Sequence, residues 1–249
     1  MVKAYLSELF SSIQGEGPFV GERQLFIRFC DCHRSCAFCD TDFSRKPTFP
    51  LEEKAGSAHF SQEPNPISVE RLLQWVDRFD IDCFHPHIAL TGGEPLLHVD
   101  FLEAWLPELL KRRAGVYLET AGDLPNELER VAKWIDVVSM DIKLPSVTGE
   151  SSSFSKHQAC LKIAQQHQFA CFVKIVVSAK TDLEELLEAG KLLDKTPNQT
   201  LVLQPVTPLK AGSERPSGKQ LLTWQKELMA MGLTSVRVIP QTHRMMEVL

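Results

Sequence analysis

Short apolar runs alternate with amphipathic stretches along nearly the whole of this chain, and that alternation leaves few folds open to it. The runs Ala4–Phe10, Gln24–Cys30, His87–Thr91, Gly115–Thr120, Asp136–Asp141, Cys171–Val177, Thr200–Gln204 and Ser235–Ile239 are brief and rich in Val, Ile, Leu and Phe, as buried parallel strands are. Helical stretches lie between them at Ser68–Phe79, Asp100–Arg113, Pro125–Trp134, Ser155–Gln168, Asp182–Lys195 and Ser217–Met231. Ser68 is placed to cap the first helix, and Leu72, Leu73 and Val76 give it an apolar face. This order implies βαβ units, and so an α/β fold with a parallel sheet or partial barrel. At 249 residues the chain suits one such domain. One stretch breaks the pattern. Phe43 to Ile67 carries Pro47, Pro50, Gly56, Pro64 and Pro66 without periodicity, and reads as a long functional loop with a helical turn near Leu51–Lys54.

Directly after the second apolar run comes Cys32-His33-Arg34-Ser35-Cys36-Ala37-Phe38-Cys39. Thiolate is the ligand of iron–sulfur clusters, and three thiols at CxxxCxxC spacing can wrap one corner of a 4Fe–4S cube. The remaining iron is then open to bind a small molecule and pass it an electron. Two blander readings compete with this. Cys30 could add a fourth thiol for a structural zinc site, or all four could be buried core cysteines. Zinc folds usually draw their ligands from two separated knuckles, however, and no second CxxC lies downstream. Cys30 ends an apolar run and reads as a packed thiol. The cluster is the stronger reading.

Composition narrows the function classes. A hydrophobic content of 43%, a charged content of 24% and a net charge of −5 describe an ordinary globule. Such a chain lacks the basic surface that binding nucleic acid requires. No apolar run approaches the ~20 residues of a membrane span, and the N-terminal stretch, with Lys3, Glu8 and Glu16, has no signal-peptide core. Seven cysteines, only three of them clustered, do not form a secreted disulfide framework. A reducing cytoplasm is implied, and an exposed cluster would need one. Cys83, Cys160 and Cys171 read as small buried hydrophobes.

Three further constellations carry chemistry. Thr91-Gly92-Gly93-Glu94-Pro95 follows a strand and precedes a helix; its glycines let backbone approach a ligand closely and Glu94 adds an acceptor. Taken alone, it could be a plain strand-to-helix turn. Ser12-Ile13-Gln14-Gly15-Glu16-Gly17 is a glycine-rich turn in which Gln14 and Glu16 could present a planar donor–acceptor edge to a pterin or guanine ring. Arg28 shares strand parity with Cys30 and, if the extended run continues, with Cys32, so it should face the cluster's side. A buried guanidinium needs an anion. The candidates are a substrate carboxylate and an internal Arg–Asp pair.

The cysteine spacing followed by GGEP resembles the radical S-adenosylmethionine (SAM) enzymes, whose open iron chelates SAM and whose SAM-derived radical abstracts hydrogen. The motifs SIQGEG, FIRF, CDTDF, TGGEP, LETAG and the terminal QTHR resemble more narrowly the 7-carboxy-7-deazaguanine synthase (QueE) family. That resemblance runs from Glu8 to the last residues. It implies a homodimeric partial (β/α)6 barrel that ring-contracts 6-carboxy-5,6,7,8-tetrahydropterin to 7-carboxy-7-deazaguanine with loss of ammonia, in queuosine and deazapurine biosynthesis. It also implies Mg2+ and an electron donor such as flavodoxin or ferredoxin. A glycyl-radical-enzyme activase shares the cysteine and GGEP logic but has no reason to carry SIQGEG with an inward Arg28. A zinc-bound interaction module is the alternative outside enzymology.

The resemblance also assigns roles. Cys32, Cys36 and Cys39 would hold the cluster, and Thr41 would offer its hydroxyl to Mg2+. Gly93, Glu94, Ser139 and the segment Gln204, Pro205, Val206 and Thr207 fall at SAM positions, and Glu119, inside a strand, is either a polar contact to SAM or its ribose or a partner in a core ion pair. Ile13, Gln14, Gly15, Glu16, Arg28, Thr91, His243 and the terminal Leu249 fall at substrate positions. The chain departs from the family where Ser139-Met140-Asp141-Ile142-Lys143 replaces a more usual Ser-Pro-Lys, and where Ala121 stands in LETAG for an asparagine. Reconstituted protein should show the broad visible absorption of a thiolate-ligated iron–sulfur cluster, and Cys36→Ala should abolish it. Stoichiometric zinc without iron uptake would overturn the cluster.

Overall fold

The structure, a computed structural model, describes residues 2–39, 41–82, 84–113, 115–193, 199–208 and 214–248. Cys83, Leu249 and the end of the helix expected to reach Lys195 lie outside the described residues. The strands are β1 (Lys3–Ala4), β2 (Leu6–Ile13), β3 (Arg23–Phe29), β4 (Thr48–Glu52), β5 (Phe60–Pro64), β6 (Ile67–Ser68), β7 (His87–Gly92), β8 (Val116–Thr120), β9 (Val137–Asp141), β10 (Ala170–Val177), β11 (Leu201–Pro205) and β12 (Val236–Val238). The helices are α1 (Val69–Asp82), α2 (Val99–Leu110), α3 (Pro125–Val131), α4 (Pro145–Thr148), α5 (Phe154–His167), α6 (Leu183–Lys191), α7 (Gly218–Ala230) and α8 (Thr242–Met245). The six expected helices all form within a few residues of their expected bounds. Ser68 Oγ accepts from Arg71 N at 3.3 Å as the cap of α1, and Ser217 with Gln220 makes a reciprocal capping box on α7.

The main sheet runs β12-β11-β10-β9-β8-β7-β3-β2-β4-β5. From β3 through β7 to β12 every pairing is parallel, whereas β2 lies antiparallel to β3. This mixed sheet with its helices is the partial-barrel α/β architecture that the alternation implied. The larger apolar cluster packs the helices onto the sheet, with Leu9, Leu25, Ile27, Leu90, Trp105, Leu118 and Leu228 fully buried. A second cluster of Phe10, Phe26, Ala89, Tyr117, Val137, Phe172 and Val202 fills the other face. Side chains alternate across a strand, so these two clusters are the two faces of one sheet.

The expected loop from Phe43 to Ile67 is a correction. Rather than a helical turn, the segment holds β4 and β5, an antiparallel hairpin that extends the sheet. Phe49 and Leu51 are both buried, alternating with the half-exposed Pro50. β4 meets β2 over a single register pair, Leu9 with Leu51, so Pro50 sits near an edge where its missing N–H is tolerated. Buried Glu52 closes the join by accepting from Ser11 N and Ala58 N, each at 2.9 Å. Leu51→Ala should cost about 3 kcal/mol in denaturant unfolding of the metal-free chain, while Pro50→Ala should cost under about 0.5 kcal/mol. Equal small effects at both positions would mean that the hairpin does not pack.

Candidate active site

Six residues of the inner apolar cluster have a polar neighbour two positions along their strand, on the same face. Phe10 is followed in this way by Glu8 on antiparallel β2, Phe26 by Arg28, Ala89 by Thr91, Tyr117 by Glu119, Val137 by Ser139 (with Asp141 two further on), and Phe172 by Lys174. The register carries the pattern across the sheet: Phe10 faces Phe26 and Glu8 faces Arg28, while Arg28 lies beside Thr91 and Lys174 beside Asp141. An apolar floor thus supports a polar tier. That tier lines a cavity of about 750 Å³ that also takes in Cys32, Cys36 and Cys39, a size suited to small-molecule ligands. Phe19, on the turn after Glu16, packs into the floor edge-on to Tyr117 at 5.5 Å between ring centroids.

The three thiols stand on the loop after β3. They are half-buried and form no disulfide, and burial pushes the thiols of Cys32 and Cys36 up. Ligation of a metal by these thiols would therefore carry their deprotonation with it. Cys30 is apart: it is fully buried, outside the cavity lining, with its sulfur 3.6 Å from Ser44 O. Arg28 and Cys32 do not share the strand parity expected of them. β3 ends at Phe29, and Asp31 has φ 63, so the chain turns before Cys32. Both side chains reach the cavity by different routes. Gly92 and Gly93 bring β7 against that turn: a Cβ on Gly92 would strike the Phe29 backbone, and one on Gly93 would strike the Asp31 carbonyl and crowd Cys32. The GGEP turn and the cysteine loop therefore fit only as a pair. A donor set of three accessible thiols beside a close backbone approach fits a three-ligand cluster.

Charges in the cavity are paired. Lys174 is bonded to Glu16 and lies 3.5 Å from Asp141 Oδ2, which also accepts from Lys143 at 2.6 Å. Burial works to raise Glu16, but Lys174 and a hydrogen bond from Gln241 outweigh it and pull the carboxyl down to about 2. Burial likewise works against the charge on Lys174, and Glu16 and Asp141 more than restore it. Arg28 Nε donates to Glu8 Oε1 at 2.5 Å, so its internal partner is a glutamate while its guanidinium still lines the cavity. The amide edge expected of Gln14 is spent internally: Nε2 donates to Gln24 and Glu119, each at 3.1 Å, and Oε1 accepts Glu16 N at 3.0 Å. Thr91 Oγ1 donates to the other Glu119 oxygen at 2.7 Å.

Of the expected site residues, Ile13, Gln14, Gly15, Glu16, Arg28, Cys32, Cys36, Cys39, Thr41, Thr91, Gly93, Glu119, Ser139 and His243 converge on this one cavity. Glu94 does not line it. Its buried carboxylate accepts from Leu96 N, Thr120 Oγ1 and Ala121 N at 3.1, 2.9 and 2.8 Å, bracing the glycine turn instead of offering an acceptor to a ligand. Gln204, Pro205, Val206 and Thr207 also stand outside the lining; Thr207 Oγ1 instead donates to Gln241 Oε1 at 2.6 Å. Lys143 does reach the cavity, 5.2 Å from the Phe38 ring centroid. Sequence reasoning missed Lys174, although a lone lysine inside the apolar run Cys171–Val177 was itself a signal. It also missed Glu8, hidden among alternating strand residues.

The profile of the Radical SAM superfamily matches residues 26–193, so fold and site define a radical SAM protein. A 7-carboxy-7-deazaguanine synthase of Geobacter sulfurreducens is 38% identical over 248 residues, covering 98% of this chain and 97% of that protein. The synthase of Thermococcus kodakarensis is 31% identical over the full length of both. This chain belongs to the 7-carboxy-7-deazaguanine synthase family of radical SAM enzymes. Among solved structures, QueE from Escherichia coli shares the fold with a TM-score of 0.61 at 22% identity, over 97% of this chain and 95% of that one. A native anSMEcpe structure with bound AdoMet matches with a TM-score of 0.55 at 16% identity, over 86% of this chain and 62% of that one.

The Lys174–Glu16 pair generates a test in pH. Glu16 lies below its ordinary 4.5, so the pair stabilises the fold above that value, and the contribution fades as pH falls toward 2. In Lys174→Met burial is opposed only by the Gln241 hydrogen bond and by His243, so Glu16 rises from about 2 and the stability gained on ionising it is lost. The variant should lose about 3 kcal/mol near neutral pH, and the gap to the parent should narrow below the ordinary carboxylate value. Denaturant midpoints of the metal-free chain across pH read this. A gap independent of pH would leave Lys174 a packing role only.

Proposed function

We propose that this chain ring-contracts 6-carboxy-5,6,7,8-tetrahydropterin to 7-carboxy-7-deazaguanine with release of ammonia, acting as a single cytoplasmic domain over residues 1–249. The observation that carries this reading is that three thiols and Arg28 line one cavity in a chain of this family. The radical SAM fold takes a 4Fe–4S cluster and SAM, and Cys32, Cys36 and Cys39 are the thiols that would hold the cluster. When bound, the two together supply a carbon radical able to abstract hydrogen.

The chain's own residues bind and orient the substrate. Arg28 is held by Glu8 through Nε alone, which leaves its terminal nitrogens to meet the substrate carboxylate. Because the Gln14 amide is engaged, the pterin edge would be read by backbone at Ile13 and Gly15 and by the Glu16 carboxylate, kept ionised by Lys174. His243 packs against Gly15, and Thr242 N donates to Gly15 O at 2.8 Å, so α8 closes over the substrate loop. The aromatic floor excludes water from below. Thr41 lines the cavity, and its hydroxyl would join substrate oxygens and waters around Mg2+. A homodimer and a flavodoxin or ferredoxin donor complete the reading. Among the described residues no helix is long and apolar enough to cross a membrane.

An anaerobic assay with the pterin, SAM and a reductant, read by product mass, tests the function directly. In the same assay Arg28→Lys keeps the charge and loses the planar fork, so KM for the pterin should rise at least ~10-fold. SAM cleavage without pterin should stay close to the parent's. Unchanged KM would assign Arg28 to its pair with Glu8 alone.

A further inference from the structure

The loop between β3 and β4 is closed at its base, where Asp31 N donates to Phe43 O at 2.9 Å and Arg45 pairs with Asp31 at 2.8 Å. Within it, Cys39 N donates to Cys36 O at 3.0 Å and Arg34 N lies 3.4 Å from Cys32 Sγ. The stretch between Cys32 and Ala37 is also held from outside the loop. Asp123, beyond the end of β8, accepts from His33 Nε2 at 2.8 Å through one oxygen and lies 3.2 Å from Arg34 Nη1 through the other. Glu150, beyond α4, accepts from Ser35 N at 2.6 Å and lies 3.2 Å from Arg34 Nε. Ser153 Oγ accepts from Arg34 Nη1 at 3.3 Å, and Thr148 O accepts from Ala37 N at 3.1 Å.

These contacts are not surface decoration. The Arg34 side chain is 8% exposed and that of Asp123 is 2% exposed. Two carboxylates share this one buried guanidinium, so withdrawing either removes a contact that fixes its orientation and leaves the other as its remaining counter-charge. All three residues between Cys32 and Cys36 are gripped, and the two gripping carboxylates follow adjacent strands of the barrel. The spacing of the thiols is thereby tied to rigid elements rather than left to the loop.

We propose that Asp123 and Glu150 are positioning residues that hold the cysteine loop in its ligand-presenting shape before a cluster arrives, acting through His33, Arg34 and Ser35. The inference rests on the reading that Cys32, Cys36 and Cys39 ligate the cluster. Asp123→Asn preserves shape and removes the charge, and Glu150→Gln does the same at a more exposed position, one at which folding is less at stake. In the metal-free full-length chain, amide exchange over residues 32–37 should accelerate roughly tenfold, the scale of one charge-assisted hydrogen bond. The acceleration should stay confined to that loop, with the global unfolding midpoint little changed in Glu150→Gln. In anaerobically reconstituted protein, a chelator should strip iron roughly tenfold faster from either variant. A double variant with Arg34→Gln should be less than additive with Asp123→Asn. Exchange and iron loss at the parent's rate in folded Glu150→Gln and Asp123→Asn would overturn the proposal, as would acceleration spread evenly through the barrel. The exchange measurement needs no cluster, so a chain that took up no iron would refute the functional reading while leaving the clamp tested.

Discussion

A lysine ammonium buried in the polar tier of the sheet, Lys174 on β10, is the interaction on which the rest of the site depends. Desolvating such an ion costs several kcal/mol unless partners restore what water gave it. Glu16 and Asp141 do so from two different directions. Asp141 is on the neighbouring strand, but Glu16 belongs to the turn between β2 and β3, so the ion pair pulls that turn across the mouth of the sheet. Gln241 then donates to Glu16 at 2.8 Å, and Thr242 bonds Gly15 O. The start of the chain and its last helix are thus locked together over a charge on the far strand.

The vertical layering of the inner face follows from the same economy. Polar groups can line a cavity only if the level below excludes water without needing hydrogen bonds. Phe10 stacked on Phe26 at 5.2 Å, with Tyr117 and Phe172 beside Phe19, provides that level. Above it, nearly every charge already has a partner, so a ligand entering the cavity meets fixed dipoles rather than mobile ones. Hydrogen bonds run through the tier from Thr91 to Glu119 to Gln14 to Gln24 and on to Glu22. Gln14 acts there as a strut beneath the turn between β2 and β3.

The cysteine spacing, GGEP and six helices were legible because each is encoded locally, in a repeat or a run. What escaped the sequence was encoded between distant residues. The hairpin of β4 and β5 hid because its prolines masked an alternation carried by Phe49 and Leu51 alone. Glu94 could be read as a free acceptor because its donors, Thr120 and Ala121, lie a whole βα unit away. Gln14 could be read as a ligand edge for the same reason, since Gln24 and Glu119 meet it only in the folded sheet. Lys174 was in plain view, but its meaning depends on Glu16, which stands 158 positions earlier in the chain.

The two ends of the cavity also solve opposite electrostatic problems. At the cysteine end, burial raises the thiols of Cys32 and Cys36, while Lys143 and Arg34 work the other way on Cys36 and favour the anionic form that a metal ligand would need. At the other end the charges are already balanced, Arg28 by Glu8 and Lys174 by Glu16. An incoming carboxylate therefore cannot displace a counter-ion cheaply; it must share Arg28 with Glu8. Sharing is possible because the pair uses Nε alone, which leaves the end of the fork in the cavity. A neutral analogue would bring no charge to that fork, so the pairing geometry, rather than a net positive pocket, would favour an acidic ligand.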